Sequence, residues 1–110
     1  NVFYNGYMAT KNLLDAIERA GTTNNIAVIK QLEGHVMSAR ERMQHHDAVI
    51  DPKPHQVQQT IYLATANSAP SEKDDMFKIL TQSAPEEVRD KASLGTCKLE
   101  SYQDTPTFDA

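Results

Sequence analysis

Residues 6–34 carry two consecutive helical patterns, and this pair restricts the architectures open to the chain. Ahead of Gly21, apolar residues recur at helical spacing and polar residues fill the opposite face, which predicts a helix over 6–20. Asn5 or Gly6 can start this helix, and Gly21 can end it as a left-handed residue. Its predicted faces are apolar at Met8, Ala9, Leu13, Leu14, Ile17 and Ala20 and polar at Lys11, Asn12, Asp15, Glu18 and Arg19.

A second helical pattern follows after a short break. The N-cap candidates for a helix over 24–33 are Thr22, Thr23 and Asn24, and Gly34 can stop it. Because so few residues join the two helices, they are expected to form a helical hairpin with one shared apolar seam.

Strand patterns come later in the chain. Val57–Ala66 is rich in β-branched and aromatic residues, and both of its faces are partly apolar, so it predicts a strand covered on both sides. Met76–Gln82 predicts a second strand. The pattern is weak over 35–54, which is expected to be a loop in which Ala39–Arg42 could extend a short helix. The remaining predictions are a turn over 51–54, a loop over 67–75, a short helix over 85–92 and an irregular tail over 93–110.

The element order gives an α/β chain with too few strands for a sheet of its own. Two isolated strands are not independently stable, so we expect this chain to be a piece of a larger fold. Its length of 110 residues fits one domain or part of one. The chain starts without an initiator Met or a secretory pattern, which also suggests a processed or truncated product.

Charge and hydropathy exclude two classes of function. A net charge of −4 argues against a nucleic-acid binder that works by neutralising phosphates. No apolar run approaches the length of a transmembrane helix.

The adjacent residues His45, His46 and Asp47 suggest a metal site, since imidazole and carboxylate groups suit zinc. Neighbouring residues on a helix point about 100° apart, however, so adjacent histidines rarely share one ion. A third ligand, His35 or His55, would have to come from elsewhere in the fold. We therefore expect surface or packing histidines rather than a metal site.

Cys97 is the single cysteine and cannot form a disulfide within the chain. Paired with a histidine it could act as a nucleophile, but no local motif supports that role. An inert thiol, or a disulfide to a part of the protein outside this sequence, is the stronger interpretation. We expect no catalytic activity and no cofactor.

Three aromatic residues, Phe3, Tyr4 and Tyr7, lie at the start of the first predicted helix. Unpaired N–H groups and the positive dipole end at a helix N-terminus favour an anion, and an aromatic wall beside it suits a small carboxylate-bearing ligand. Alternatively, these rings anchor the helix to a core. The residues alone leave both interpretations open.

The run Phe3–Ala9 (FYNGYMA), followed by Leu13–Thr23 (LLDAIERAGTT), resembles the C-terminal region of solute-binding proteins of branched-chain amino acid ABC importers. That family carries a GY-x-A…LL-x-AIE-x-AG run and then an A-VIK-x-LEG helix, matched here by Ala27–Gly34 (AVIKQLEG). Arg42–His45 (RMQH) and His55–Leu63 (HQVQQTIYL) are similar to its DHQ…Y strand region. The resemblance covers residues 1–80 approximately.

This resemblance implies the C-terminal portion of a type I periplasmic-binding fold, in which two α/β lobes close on a solute. Residues 1–82 would then belong to one lobe, and 83–110 would be a short helix and an irregular tail. By position Phe3, and more weakly Tyr4, would line the ligand cleft. The implied function is capture of an amino acid or similar solute for a membrane permease, in a periplasmic or extracellular membrane-anchored protein.

The chain departs from the family pattern in two respects, and a second function is also open to it. Met37–His46 is charged and lacks the family's glycine-rich turn, and the tail is more acidic than usual, which suggests a subgroup with another solute. If the chain is a fragment, we expect self-association or domain swapping. The alternative function is a small helical protein–protein interaction module that uses the hairpin of helices as its binding face.

Overall fold

The computed structural model describes residues 2–90, 96, 97, 99, 102 and 104–108 and has mixed α and β structure. The elements in chain order are α1 (Val2–Ala20), α2 (Asn25–Leu32), β1 (Val36–Met37), α3 (Ala39–Arg42), β2 (Ala48–Ile50), β3 (Val57–Gln58), β4 (Ile61–Ala66), β5 (Phe77–Ser83) and α4 (Pro85–Val88). The α/β class expected from the sequence is confirmed at this coarse level.

The two N-terminal helices pack against each other, as the sequence predicts. Asn24 caps α2, because its Oδ1 accepts a hydrogen bond from the Ala27 N–H at 3.0 Å. Gly21 ends α1 with a φ of 64°, a conformation that glycine adopts without steric cost. The predicted start of α1 is wrong: the helix already includes Val2, so Asn5 and Gly6 lie inside it.

The predicted faces of α1 are also partly wrong. The helix buries Met8, Asn12 and Ala16, which are spaced four residues apart, although Asn12 was expected on the polar face. Leu13 and Leu14, expected on the buried face, are 48% and 60% exposed. Periodicity identifies an apolar face, but burial requires neighbouring elements, and in the described chain those elements lie on the Met8–Ala16 side.

A small antiparallel sheet, β1–β2–β3, follows the helices. Val36 pairs with Val49, and Val49 also pairs with Gln58 on the other side. Gly34, with a φ of 70°, donates its N–H to the Ile50 carbonyl at 2.8 Å and so connects the end of α2 to β2. The core cluster under this sheet consists of Met37, Ala48 and Ile50, with Leu32 of α2 packed against it.

The predicted strand over 57–66 divides into β3 and β4, separated by Gln59 and Thr60. The expectation that it is covered on both sides is wrong, because Ile61 is 47% exposed and Leu63 is 60% exposed. Within the described residues, β4 pairs only with β5, as an antiparallel hairpin whose register shifts between Leu63 and Ala64. The predicted loop over 67–75 joins them. With two strands the hairpin has no second layer in the described chain.

The later part of the chain is held to the earlier part by polar contacts. α4 ends at Val88, so the predicted helix over 85–92 is too long; residues 91 and 92 lie outside the described residues. The carboxylate of Asp51, in the turn over 51–54, forms an ion pair with Arg89 just after α4. Asn25 also exchanges hydrogen bonds with the backbone of Phe108 near the end of the chain.

The molecule is extended for its size. Its radius of gyration is 16.9 Å, whereas a compact domain of about 100 residues has one near 13 Å. Among the helices of the described residues, none combines the length and apolarity needed to cross a bilayer.

Candidate functional site

The candidate site is an open cleft of about 680 Å³. It lies between the first turn of α1, the segment that follows α3, and the start of the β4–β5 hairpin. Its lining combines aromatic rings with amide, imidazole and hydroxyl groups, from Tyr4, Asn5, Met43, Gln44, His45, Gln59, Thr60, Ile61, Tyr62 and Ile79.

The cleft takes its shape from the way α3 begins and ends. Ser38 caps α3, because its Oγ accepts a hydrogen bond from the Glu41 N–H at 3.2 Å. Met43 terminates the helix in the left-handed region with a φ of 52°. This reversal brings Gln44 and His45 to the wall of the cleft, opposite β4.

The two adjacent histidines contact the hydroxyl groups of two residues in and beside β4. The His45 N–H donates to the Tyr62 hydroxyl at 3.1 Å, and His45 Nδ1 lies 2.9 Å from the same oxygen. His46 makes the matching pair of contacts with Thr60 Oγ1, both at 3.1 Å. The alternation of residues along a strand places Thr60 and Tyr62 on one side. These contacts fix the positions of both imidazole rings beside β4.

Asp47 and His55, which the sequence suggests as possible metal ligands, each form a hydrogen bond elsewhere in the structure. Asp47 Oδ1 accepts the Ala39 N–H at 2.7 Å, and His55 Nε2 lies 2.8 Å from Glu33 Oε1. Burial, together with the positive charge of Arg19, lowers the pKa of His35 below its ordinary value. Within the described residues, no group of three or more potential His, Cys, Asp or Glu ligands comes together.

The three aromatic residues near the start of α1 lie in different environments in the structure. Tyr4 lines the cleft and donates its hydroxyl proton to the Arg42 carbonyl at 2.8 Å. Phe3 is 86% exposed and Tyr7 is 53% exposed, and neither is among the residues that line the cleft. Cys97 is half-buried and is not among the residues that line the cleft.

Arg42 is a central residue beside the cleft that the sequence analysis did not identify as a site residue. Its side chain is 4% exposed, its guanidinium carbon lies 5.8 Å from the centre of the Tyr4 ring, and it donates to Gln59 Oε1. A charged residue in a four-residue helix carries no sequence signal of burial. Only the contacts of Arg42 with Tyr4 of α1 and with Gln59, in the break between β3 and β4, reveal it.

The Lys11 ammonium connects α1 to α3 near this point. Its hydrogen bonds to the carboxylates of Asp15 and Glu41 raise its pKa above the ordinary value. The contact with Glu41 is 2.8 Å long. It helps to hold α3 in place against the first helix.

No protein-family model matches this chain, and neither a curated protein nor a solved structure matches it. The proposed function therefore depends on the chemical groups that line the cleft. The cleft offers hydrogen-bond donors and acceptors beside aromatic surface, a combination suited to a small polar molecule.

Proposed function

We propose that this chain forms part of one lobe of a solute-binding protein that delivers an amino acid or a similar small polar solute to an ABC importer. Binding would stabilise a closed arrangement of two lobes, because the solute contacts both lobes only in that state. The membrane permease of the importer would be the protein partner, and the location periplasmic or extracellular and membrane-anchored. The protein would have no enzymatic activity.

The observation that carries this proposal is the cleft beside Tyr4. Its volume of about 680 Å³ falls in the range typical of small-molecule sites, about 300–1,000 Å³. Gln44 supplies a specific polar group there, since its buried Oε1 has no hydrogen-bond partner among the described residues. Rotation of the Gln44 side chain would expose that oxygen to an N–H group of a solute in the cleft.

The exposed apolar surfaces support the idea that the chain is part of a larger lobe. Leu13 and Leu14 on α1 and Leu63 and Ile79 on the β4–β5 hairpin are all about half exposed or more. Burying a side chain of this kind stabilises a protein by about 1.5–3 kcal/mol, so such surfaces usually pack against other protein. In the proposed protein the remaining strands and helices of the lobe would cover them.

Isothermal titration with L-leucine and with L-glutamine tests the proposal on the wild-type protein and on a Gln44→Leu variant. We expect saturable binding of at least one solute and an affinity loss of about tenfold or more in the variant, because Gln44 would lose its hydrogen bond. Gln82→Leu, on the exposed surface of β5, is the matched control and should bind normally. Equal affinities of Gln44→Leu and wild type, or no saturable binding of either solute, would contradict the proposal.

The alternative function, a helical interaction module, is favoured by one observation. Phe3, Tyr7 and Leu14 lie on one side of α1, opposite its buried stripe, and all three are more than half exposed. A Phe3→Ser/Leu14→Ser variant separates the two proposals. It should leave solute binding in the cleft unchanged, whereas a module that uses this face would lose its protein partner.

A further inference from the structure

We propose that a second cavity, beside the cleft, binds a small carboxylate anion through the buried guanidinium of Arg42. This site does not depend on the proposed transport function, because it is argued from the charge and burial of one side chain. The cavity has a volume of about 190 Å³ and lies between α1 and β3. Its wall includes Met8, Asn12, Arg42, Val57 and Gln59.

The first argument is the charge of Arg42. A buried charge is stable only when it is paired, because removal from water costs several kcal/mol per ion. The guanidinium instead contacts neutral groups: the Met37 sulfur at 3.4 Å, Gln59 Oε1 and the Tyr4 ring. None of the ion pairs among the described residues includes Arg42.

The second argument is that nearby carboxylates are already committed to other cations. Glu41, the residue before Arg42, pairs with Lys11, and so does Asp15. Asp51 pairs with Arg89. Asp51 cannot neutralise Arg42 without leaving Arg89 unpaired, and Asp15 and Glu41 together neutralise Lys11 rather than Arg42.

The third argument comes from two polar atoms without partners. Within the described part of the chain, Arg42 Nε and Asn12 Oδ1 are buried and form no hydrogen bond, and both residues line this cavity. A small rotation of the Arg42 side chain would turn its Nε–H from this closed position toward an anion in the cavity. A half-turn of the Asn12 amide, which exchanges atoms of similar size, would present its NH₂ group to the same ligand.

The planar shape of the guanidinium and the size of the cavity indicate the class of ligand. The planar guanidinium matches the geometry of a carboxylate, which accepts parallel hydrogen bonds from it. Because one water molecule takes up about 30 Å³ of liquid, a cavity of about 190 Å³ has room for an anion of the size of acetate together with some water. The apolar side chains of Met8 and Val57 would contact its methyl group.

Thermal unfolding in increasing sodium acetate, with chloride replaced at constant ionic strength, tests the proposal. A ligand that binds only the folded state raises the Tm in a saturable way. We expect this rise for acetate and no rise for acetamide, which has nearly the same shape but no charge. Arg42→Met should fold, since the two side chains have similar length, and its affinity for acetate should fall by about tenfold or more.

Arg40→Met is the matched control, because Arg40 lies exposed on the same short helix, and it should respond to acetate as the wild type does. Equilibrium dialysis of labelled acetate against the wild-type protein gives a second measurement that needs no variant. Saturable binding that excess acetamide does not displace supports the site. An acetate response that is absent, equal in Arg42→Met, or reproduced by acetamide overturns it, and the cavity then holds water only.

Discussion

The β1–β2–β3 sheet and the β4–β5 hairpin are both antiparallel, but they differ in what covers them. Met37 and Ala48 in the first sheet are almost completely buried beneath α2, although its strands are only two or three residues long. The longer strands of the hairpin leave Leu63, Phe77 and Leu80 exposed. Length and strand propensity therefore do not decide burial in this molecule; the presence of a second layer does.

The two regions should therefore contribute differently to the stability of the protein and to its association with other protein. Burial of apolar side chains is the dominant favourable term in folding, so the helices and the first sheet should carry most of the free energy of folding. The hairpin offers apolar surface that another protein layer can cover. Substitutions in the two regions should accordingly change different measured quantities.

The largest expected effect comes from the core of the first sheet. Met37→Ala should lower the free energy of unfolding by about 2–5 kcal/mol, because it removes buried atoms and leaves a cavity. Urea denaturation followed by circular dichroism measures this change. Met76→Ala, in which the same side chain is removed from a site that is 61% exposed, is the control and should change stability by less than about 0.5 kcal/mol. Equal losses in the two variants would mean that the regions do not differ.

The next effect concerns Asp51, which is 2% exposed and paired with Arg89. Asp51→Asn should cost about 1–3 kcal/mol at neutral pH, since the pair loses its charge. The control is Asp74→Asn, in the exposed loop of the hairpin, for which we expect almost no change.

Asp51 also predicts a dependence of stability on pH. Burial alone raises its pKa, but the Lys53 N–H and the Arg89 guanidinium outweigh burial and hold the pKa below the ordinary value of 3.8. The unfolded chain therefore takes up the proton more readily than the folded chain. This contribution is complete above pH 3.8 and is lost as the pH falls through the lower folded pKa. Unfolding curves of wild type and Asp51→Asn should converge in acid; a constant difference between them would refute this account.

A smaller effect is expected at the junction between α1 and α3. Tyr4→Phe removes the hydroxyl group that donates to the Arg42 carbonyl and should reduce stability by about 0.5–1.5 kcal/mol. Tyr7→Phe makes the same chemical change on the exposed side of α1 and should have almost no effect. Thermal denaturation distinguishes the two variants, and indistinguishable melting curves would show that the Tyr4 contact adds nothing.

The smallest change in stability should come from the hairpin surface. Leu63→Lys/Leu80→Lys should alter the free energy of unfolding by less than about 0.5 kcal/mol, since both side chains are 60% exposed. It should also reduce self-association of the wild-type chain in sedimentation velocity, because charge replaces the apolar surface. Thr65→Lys/Gln82→Lys adds the same charge without removing apolar surface and is the control. A large loss of stability would instead place the hairpin in a packed core.

Prediction from the sequence succeeded where the signal is local. The glycine stop at Gly21 and the hairpin loop over 67–75 depend on neighbouring residues, and the structure confirms them. Of the three N-cap candidates for α2, the structure selects Asn24, and it shows that residues 39–42, where the pattern is weak, form a short helix. The sheet β1–β2–β3 was missed because strands of two or three residues are too short to show a period. These short strands form because Val49 pairs with Val36 on one side and with Gln58 on the other, and both partners are distant from it in sequence.

The candidate site was predicted only in part. Tyr4 was singled out by its position at the start of a helix, and the structure places it on the wall of the cleft. Gln44 and Gln59 carried no signal, because isolated polar residues are typical of any surface. Their role in the cleft arises from the turn after Met43 and from the break between β3 and β4.

The sequence by itself determined the class of the fold and the position of its long helices, because caps, glycine stops and apolar spacing act over a few residues. Only the tertiary structure decided which faces are buried. It buried Asn12 and Arg42 and left Leu13 and Leu14 exposed. The physical reason is that hydrophobicity favours burial, whereas the elements packed nearby determine which side chains water can reach.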